Sequence, residues 1–224
     1  MFRKAIRKSI KFVVDPWLRW SYNRYASKDL NIDFFGCKIV VQPRIFHPGL
    51  FFSTKTLIYF LKTIEVSGKT MLELGCGTGA ISVWAAKMGA EMVASDINPK
   101  AIENTRINAL NNGVSVKTVQ SDLFTNLIPN EYQIVIINPP YYAKSAATIE
   151  EQAWYCGVEF EYFHKLFEQL TEKSVDTVVY MVLSEDCDLE KVYSIAKLYS
   201  LSMDIVYRRS TILEKNFIFR IATI

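Results

Sequence analysis

Asn138-Pro139-Pro140-Tyr141 closes an apolar run, Tyr132–Ile137, and its residue types suit one kind of chemistry. A primary amide or an exocyclic base amine is a poor nucleophile, because its lone pair is delocalised into the adjoining π system. The Asn138 side-chain oxygen and the Pro139 carbonyl are two acceptors that can hold the two N–H groups of such a nitrogen. Held that way, the nitrogen is favoured in the pyramidal geometry from which it can attack an electrophile. Pro139 and Pro140 stiffen the loop, and the Tyr141 ring can stack on a planar acceptor. The chemistry is positioning plus stabilisation of developing positive charge, and it demands no strong base. Asn138, Pro139, Pro140 and Tyr141 are the catalytic candidates.

A second stretch, Thr70–Gly79, can hold a ligand. Met71–Leu74 is a short apolar strand, and Gly75-Cys76-Gly77-Thr78-Gly79 turns from it into a helical pattern through Ile81, Val83, Trp84 and Met88. Glycines there let the backbone approach a ligand closely. Val93–Ser95 reads as the next strand and ends in Asp96, about twenty positions past the loop. Such an acid, with Ile97 beside it, is placed to accept the ribose hydroxyls of an adenosine. After a third strand, Val114–Val119, Asp122 can accept an adenine amino group and Leu123 can pack on the ring. Gly75, Gly77 and Ala80 also satisfy the dinucleotide fingerprint, with Asp96 as the ribose acid. An NAD(P)-dependent oxidoreductase is therefore one reading of the loop alone.

The glycine loop and the Asn138–Tyr141 motif together resemble the class I S-adenosylmethionine-dependent methyltransferases, in the NPPY branch that methylates planar nitrogens. Glu73, just before the loop, stands where that class carries an acid close to the cationic amino-acid end of the cofactor. The resemblance implies S-adenosyl-L-methionine held by Glu73, Gly75, Cys76, Gly77, Gly79, Asp96, Ile97, Asp122, Leu123 and Asn138, with no metal. It implies as acceptor a protein glutamine or an rRNA or tRNA base, and so a macromolecular partner, RNA or protein. No target-recognition segment for sequence-specific DNA is visible. A catalytically idle RNA-binding module on the same fold is the other alternative, against which the intact motif argues.

These residues need a frame to position them. The resemblance covers roughly residues 45–224 and implies an α/β, Rossmann-like sheet of seven strands, mostly parallel, with helices on both faces and an antiparallel last strand. Strands are expected at Tyr132–Ile137 and Thr177–Leu183, with an antiparallel pair at Met203–Tyr207 and Phe217–Ala222. Asn98 and Pro99 read as N-cap and first residue of a helix ending near Gly113. Ser53 or Thr54 is the expected N-cap of a helix through Leu57, Ile58 and Leu61. Phe160, Phe163, Leu166, Phe167 and Leu170 recur at helical spacing, and Leu189–Leu198 fits a further helix. His164 is read as structural, and His47 as structural or part of a lid, with direct substrate contact as the alternative. Tyr142, Lys144, Trp154 and Tyr155 mark 142–156 as a substrate-facing loop. Arg208 and Arg209 are expected to be solvated in the last turn.

Ahead of this domain, residues 1–44 form an extension. Leu30–Phe46 alternates like a hairpin around Gly36. Met1–Asp29 is basic and aromatic: Arg3, Lys4, Arg7, Lys8, Lys11, Arg19 and Arg24 are interleaved with apolar residues at helical spacing. It reads first as a basic helix with a solvated face, then as a nucleic-acid arm, and last as a membrane-surface helix. Lys11 and Asp15 break any apolar run of signal-peptide length. The 224 residues, 50 % hydrophobic and 22 % charged with a net charge of +3, suit one α/β domain with a short extension. Four scattered cysteines without a C-x-x-C pair, and two histidines, argue against a disulfide framework or structural zinc and for a cytoplasmic setting.

Overall fold

Alternate residues of the central strands face opposite layers. In β3 (Thr70–Leu74), Met71 packs in one layer while Leu72 and Leu74 pack in the other. In β6 (Ile134–Ile137), Ile134 and Ile136 join Met71, and Val135 and Ile137 join Leu72. Strands buried on both faces belong inside a parallel sheet covered on both sides by helices. A computed structural model describes residues 28–49, 51–173, 177–211 and 214–224; the expected basic helix lies outside the described residues.

The main sheet has seven strands in the order β5-β4-β3-β6-β7-β9-β8, with β4 at Glu91–Asp96, β5 at Val116–Gln120, β7 at Val178–Ser184, β8 at Leu201–Ser210 and β9 at Lys215–Thr223. The first five are parallel, and β9 runs antiparallel to both β7 and β8. The order reverses beside β3: the chain moves outward to β4 and β5, then returns to lay β6 against the other edge of β3. In an open α/β sheet this switch point is where the strand ends open a crevice.

Helices α1 (Phe52–Leu61), α2 (Ala80–Lys87) and α3 (Pro99–Asn111) bear on the Met71 layer, and α4 (Glu161–Lys173) and α5 (Leu189–Leu198) on the Leu72 layer. The cap expected for α3 is present, with Asn98 Oδ1 accepting from the Lys100 amide at 3.0 Å and Pro99 at the first position. The cap expected for α1 is not. That helix begins at Phe52 after Phe51, without a side-chain cap, and Ser53 and Thr54 are buried inside its first turn. Arg208 and Arg209 also differ from expectation. The strand β8 is longer than its apolar pattern suggests and contains both; Arg208 is exposed, but Arg209 folds over the Tyr59 ring at 4.3 Å.

The hairpin forms its own two-stranded sheet, β1 (Leu30–Phe34) against β2 (Cys37–Val41), turning through Phe35 and Gly36, both at positive φ. That pair of left-handed residues is what a tight hairpin turn needs. Phe34, Cys37, Ile39 and Val41 bury themselves against α1 and α2. The outer edge of β2 meets a ladder of asparagines on α3. Asn112 exchanges two hydrogen bonds with the Lys38 backbone, Asn108 two with Val40, and Asn104 takes the Gln42 amide while donating to the Val40 carbonyl. Four helical residues rise about 6 Å and two strand residues about 6.6 Å, so side chains at i, i+4 and i+8 stay in step with alternate strand residues. Their amides stand in for a neighbouring strand.

Candidate active site

The register of β3 with β6 sets Leu74 beside Ile137, so the glycine loop and the Asn138–Tyr141 loop emerge side by side. The Gly75 and Cys76 amides both donate to the Ser95 carbonyl, at 2.8 and 2.9 Å, folding the loop across the end of β4. Gly75 and Gly77 have φ of 72° and 54°. A Cβ at Gly75 would meet nothing within 4 Å, and one at Gly77 only Phe46 Cβ at 3.7 Å. Both therefore present bare backbone to open space, as a loop receiving a ligand does. Gly79 is different. Its φ is 71°, a Cβ would strike the Thr105 side chain at 2.5 Å, and it does not line the cavity. It is a packing glycine at the head of α2.

The crevice is a cavity of about 530 Å³, lined by Glu73, Gly75, Cys76, Gly77, Asp96, Ile97, Asp122, Leu123 and all four residues Asn138–Tyr141. A volume in this range suits a small-molecule cofactor or substrate. Asp96 sits with Oδ2 accepting from the Gly77 amide and Oδ1 from the Asn98 amide, each at 2.9 Å. Burial pushes its carboxyl up from the ordinary aspartate range, and the Asn98, Gly77 and Ile97 amides pull it back. A carboxylate has about four acceptor positions, so with three amides drawing on it one remains for a ribose hydroxyl. Asp122 is paired through Oδ2 with Lys165 of α4, and among the described residues Oδ1 carries no hydrogen bond. Leu123 follows at φ 51°.

Glu73 lies 3 % exposed below the loop, its Oε2 accepting from both the Ser82 amide (2.9 Å) and the Ser82 hydroxyl. Burial pushes its carboxyl up to about 8, against the lowering effect of those two bonds. A buried acid poised near neutrality can take a cation by releasing its proton. Cys76 is also buried, with Sγ 3.3 Å from Thr105 Oγ1, and burial lifts its thiol well above the usual range, so the thiol stays protonated. Carboxylates along the floor and glycine backbone above them fit an adenosine-bearing cofactor with a cationic end.

At the other end, Asn138 Nδ2 points to Thr54 Oγ1 at a long 3.5 Å, which directs Oδ1 away from α1. Thr54, the third residue of its helix, thus faces the cavity. The Tyr141 hydroxyl is hydrogen-bonded with the Ser184 side chain at the end of β7, and burial raises the phenol far above its normal range, so it stays protonated. The Phe46, Phe51 and Trp154 rings meet above the cavity, with Phe46 and Phe51 stacked at 4.6 Å and Trp154 at 5.1 and 4.8 Å from them. The loop expected to face substrate is tied down by Tyr142 N–H to Trp154 O (3.1 Å) and Cys156 N–H to Tyr142 O (3.0 Å). His47 is buried outside the cavity, with Nδ1 accepting from the Gly49 amide at 3.1 Å, and His164 Nδ1 lies 3.2 Å from the Tyr199 hydroxyl.

Ser184 and Lys165 are not legible in the sequence, whereas Thr54 and the two phenylalanines fall in the aromatic and polar stretch 46–54, which the family resemblance implies covers the cofactor's methionine end. Thr54 carries an N-cap signal that outcompetes any site signal, and nothing local distinguishes Lys165 from an ordinary helix lysine. Phe46 and Phe51 are legible as the aromatic flanks of the His47-Pro48-Gly49 turn.

The methyltransferase small domain model matches residues 37–154, the stretch from β2 through Trp154 that contains the glycine loop and Asn138–Tyr141. A Methanocaldococcus jannaschii protein, provisionally described as a protein N5-glutamine methyltransferase, is 34 % identical over 111 residues, covering 49 % of this chain and 54 % of its own. The ribosomal RNA small subunit methyltransferase C of Chromohalobacter salexigens is 32 % identical over 108 residues, covering 45 % of this chain and 32 % of its own. The chain thus spans about half the length of the first relative and a third of the second. A Pyrococcus furiosus methyltransferase structure superposes with a TM-score of 0.64 over 94 % of this chain and 99 % of that one, at 19 % identity, and shares the fold. With its two characteristic loops meeting over one cavity, the chain belongs to the methyltransferase small domain family.

Proposed function

We propose that this protein is an S-adenosylmethionine-dependent N-methyltransferase that modifies a planar nitrogen, a glutamine amide or a base amine, in a macromolecule of the translation machinery. One observation carries the reading: the glycine loop and Asn138–Tyr141 open onto the same cavity, at the point where the strand order reverses. The descriptions of the two sequence relatives, one naming protein glutamine and the other ribosomal RNA, support the substrate range. They also weigh against the oxidoreductase reading, as does the lack of any role for Asn138-Pro139-Pro140-Tyr141 in hydride transfer.

When bound, S-adenosylmethionine supplies an electrophilic methyl on its sulfonium. Asp96 holds the ribose, Asp122 and Leu123 the adenine, and Glu73 lies toward the cationic end. Asn138 Oδ1 and the Pro139 carbonyl accept the two N–H groups of the acceptor nitrogen, and Tyr141 packs on its plane. The neutral Tyr141 hydroxyl, fixed by Ser184, keeps the ring in one orientation. The Phe46, Phe51 and Trp154 rings exclude water, which strengthens every electrostatic contact beneath them. Residues 45–224 act as the catalytic domain and residues 1–44 as its extension, a division supported by the hairpin's forming a separate sheet. Four free, buried cysteines are consistent with a cytoplasmic setting, and no described helix is long and apolar enough to cross a membrane.

The test is transfer of labelled methyl from S-adenosylmethionine into extract of cells lacking the protein, followed by RNase or protease digestion. Label in a macromolecular fraction is expected. Cofactor binding with no label in any fraction would leave an idle module, and binding of NAD(P) in its place would overturn the assignment.

A further inference from the structure

Resting on that reading, we propose that the outward face of α1 is a track for single-stranded RNA, leading the target nucleotide to the Asn138 end of the cavity. Phe52, Lys55 and Tyr59 of α1, with Lys62 at its C-cap, share one face at helical spacing over about 15 Å. The track begins beside the site: Phe51, Ser53 and Thr54 line the cavity, and Thr54 touches Asn138.

Rings and cations alternate along it. Lys55 Nζ lies 5.6 Å from the Phe52 ring; Lys62 Nζ lies 4.9 Å from Phe35 of the hairpin turn and 5.9 Å from Tyr59. Phe35 and Tyr59 meet edge to face at 5.3 Å, and Arg209 of β8 lies over Tyr59 at 4.3 Å. Tyr59 remains 38 % exposed. Among the described residues none of the three cations has a carboxylate partner; the ion pairs are made elsewhere. Residues 51–64 contain no acid, and Glu65 turns back to the Ser67 amide at 3.0 Å.

A surface of rings interleaved with cations that meet no carboxylate among the described residues matches single-stranded nucleic acid, whose bases stack on aromatic or guanidinium planes while phosphates meet lysines. A glutamine-bearing peptide carries no obligatory negative charge and would leave these cations unanswered. A single strand also allows the target base to enter the cavity without breaking a duplex.

The experiment uses the full chain and a fluorescein-labelled, unstructured 12-nucleotide RNA, followed by anisotropy over a range of salt. Tyr59→Ala should weaken binding fivefold or more, and Lys55→Ala with Lys62→Ala should flatten the log–log salt dependence by about 1 to 1.5, as for two lost phosphate contacts. Cofactor binding, read by calorimetry, should not change in any of these surface variants. RNA containing 4-thiouridine should cross-link to the peptides holding Phe35 and Tyr59. RNA affinity within twofold of wild type in all variants, or cross-links confined to residues 1–27, would overturn the track. So would labelled methyl entering only protein, equally well in wild type and variants, while leaving the methyltransferase reading intact. Failure of the wild type to bind S-adenosylmethionine would instead remove that reading.

Discussion

Replacing Asn108 tests whether the asparagine ladder holds both the hairpin and the glycine loop. Its side chain is fully buried; Oδ1 accepts from the Val40 amide at 2.8 Å, and Nδ2 donates to the Val40 carbonyl at 2.8 Å and to the Thr78 carbonyl at 2.9 Å. In Asn108→Ala the Val40 carbonyl keeps one donor, Asn104 Nδ2 at 2.9 Å. The Val40 amide and the Thr78 carbonyl each lose this partner. At about 1–3 kcal/mol for each buried backbone group left unpaired, the expected loss is about 2–6 kcal/mol, and for a chain of this size the melting temperature should fall by roughly 4–24 °C. Asn112 offers the internal comparison, since its bonds to Lys38 lie at the exposed end of the ladder, where water can replace them; Asn112→Ala should cost less than about 1 kcal/mol. Because Thr78 belongs to the glycine loop, Asn108→Ala should also weaken cofactor binding, and Asn112→Ala should not. Urea and thermal denaturation give the stabilities, and calorimetry the affinities. An Asn108→Ala protein no less stable than Asn112→Ala would refute the reasoning.

Three further outcomes are expected. Asn138→Ala should abolish methyl transfer while keeping most of the cofactor affinity, whereas Asp96→Ala should weaken that affinity; equal loss of both properties in Asn138→Ala would remove Asn138 from the acceptor site. Between about pH 4.5 and 8 the folded ligand-free protein keeps a proton on Glu73 that the unfolded chain has released, so this group's contribution to stability falls as pH rises, on the order of a few kcal/mol in total. Denaturation at several pH values should show Glu73→Gln lacking that component; an unchanged slope would mean that Glu73 is already ionised. Gly79→Ala forces both a left-handed residue and a 2.5 Å clash with Thr105, and should destabilise by about 2 kcal/mol or more. Gly68→Ala, at φ 69° with nothing within 4 Å, should cost about 1 kcal/mol, and comparing their denaturation midpoints separates strain from clash.

What the chain states locally was legible. The apolar runs at Met71–Leu74 and Tyr132–Ile137, the Asn98-Pro99 helix start and the turn at Gly36 each depend on neighbours a few residues away. The glycine loop and the Asn138–Tyr141 motif likewise carry their chemistry within a few consecutive residues. Thr54 shows the limit. Its sequence reads as a cap, yet its hydroxyl oxygen faces a residue 84 positions away, accepting from the Asn138 side-chain amide at 3.5 Å. Lys165 meets Asp122 across 43 residues, and Asn104, Asn108 and Asn112 look like ordinary polar helix positions until the edge of β2 is packed against them. Arg209 lost its expected solvation because β8 extended beyond its apolar core and brought it over Tyr59. By itself, then, the sequence determined the elements and the two reactive loops, since periodicity, turn chemistry and backbone freedom are short-range. Only the tertiary structure decided that Leu74 and Ile137 are neighbours, and hence that the loops share one cavity, because strand order and register come from burying both faces of the sheet at once.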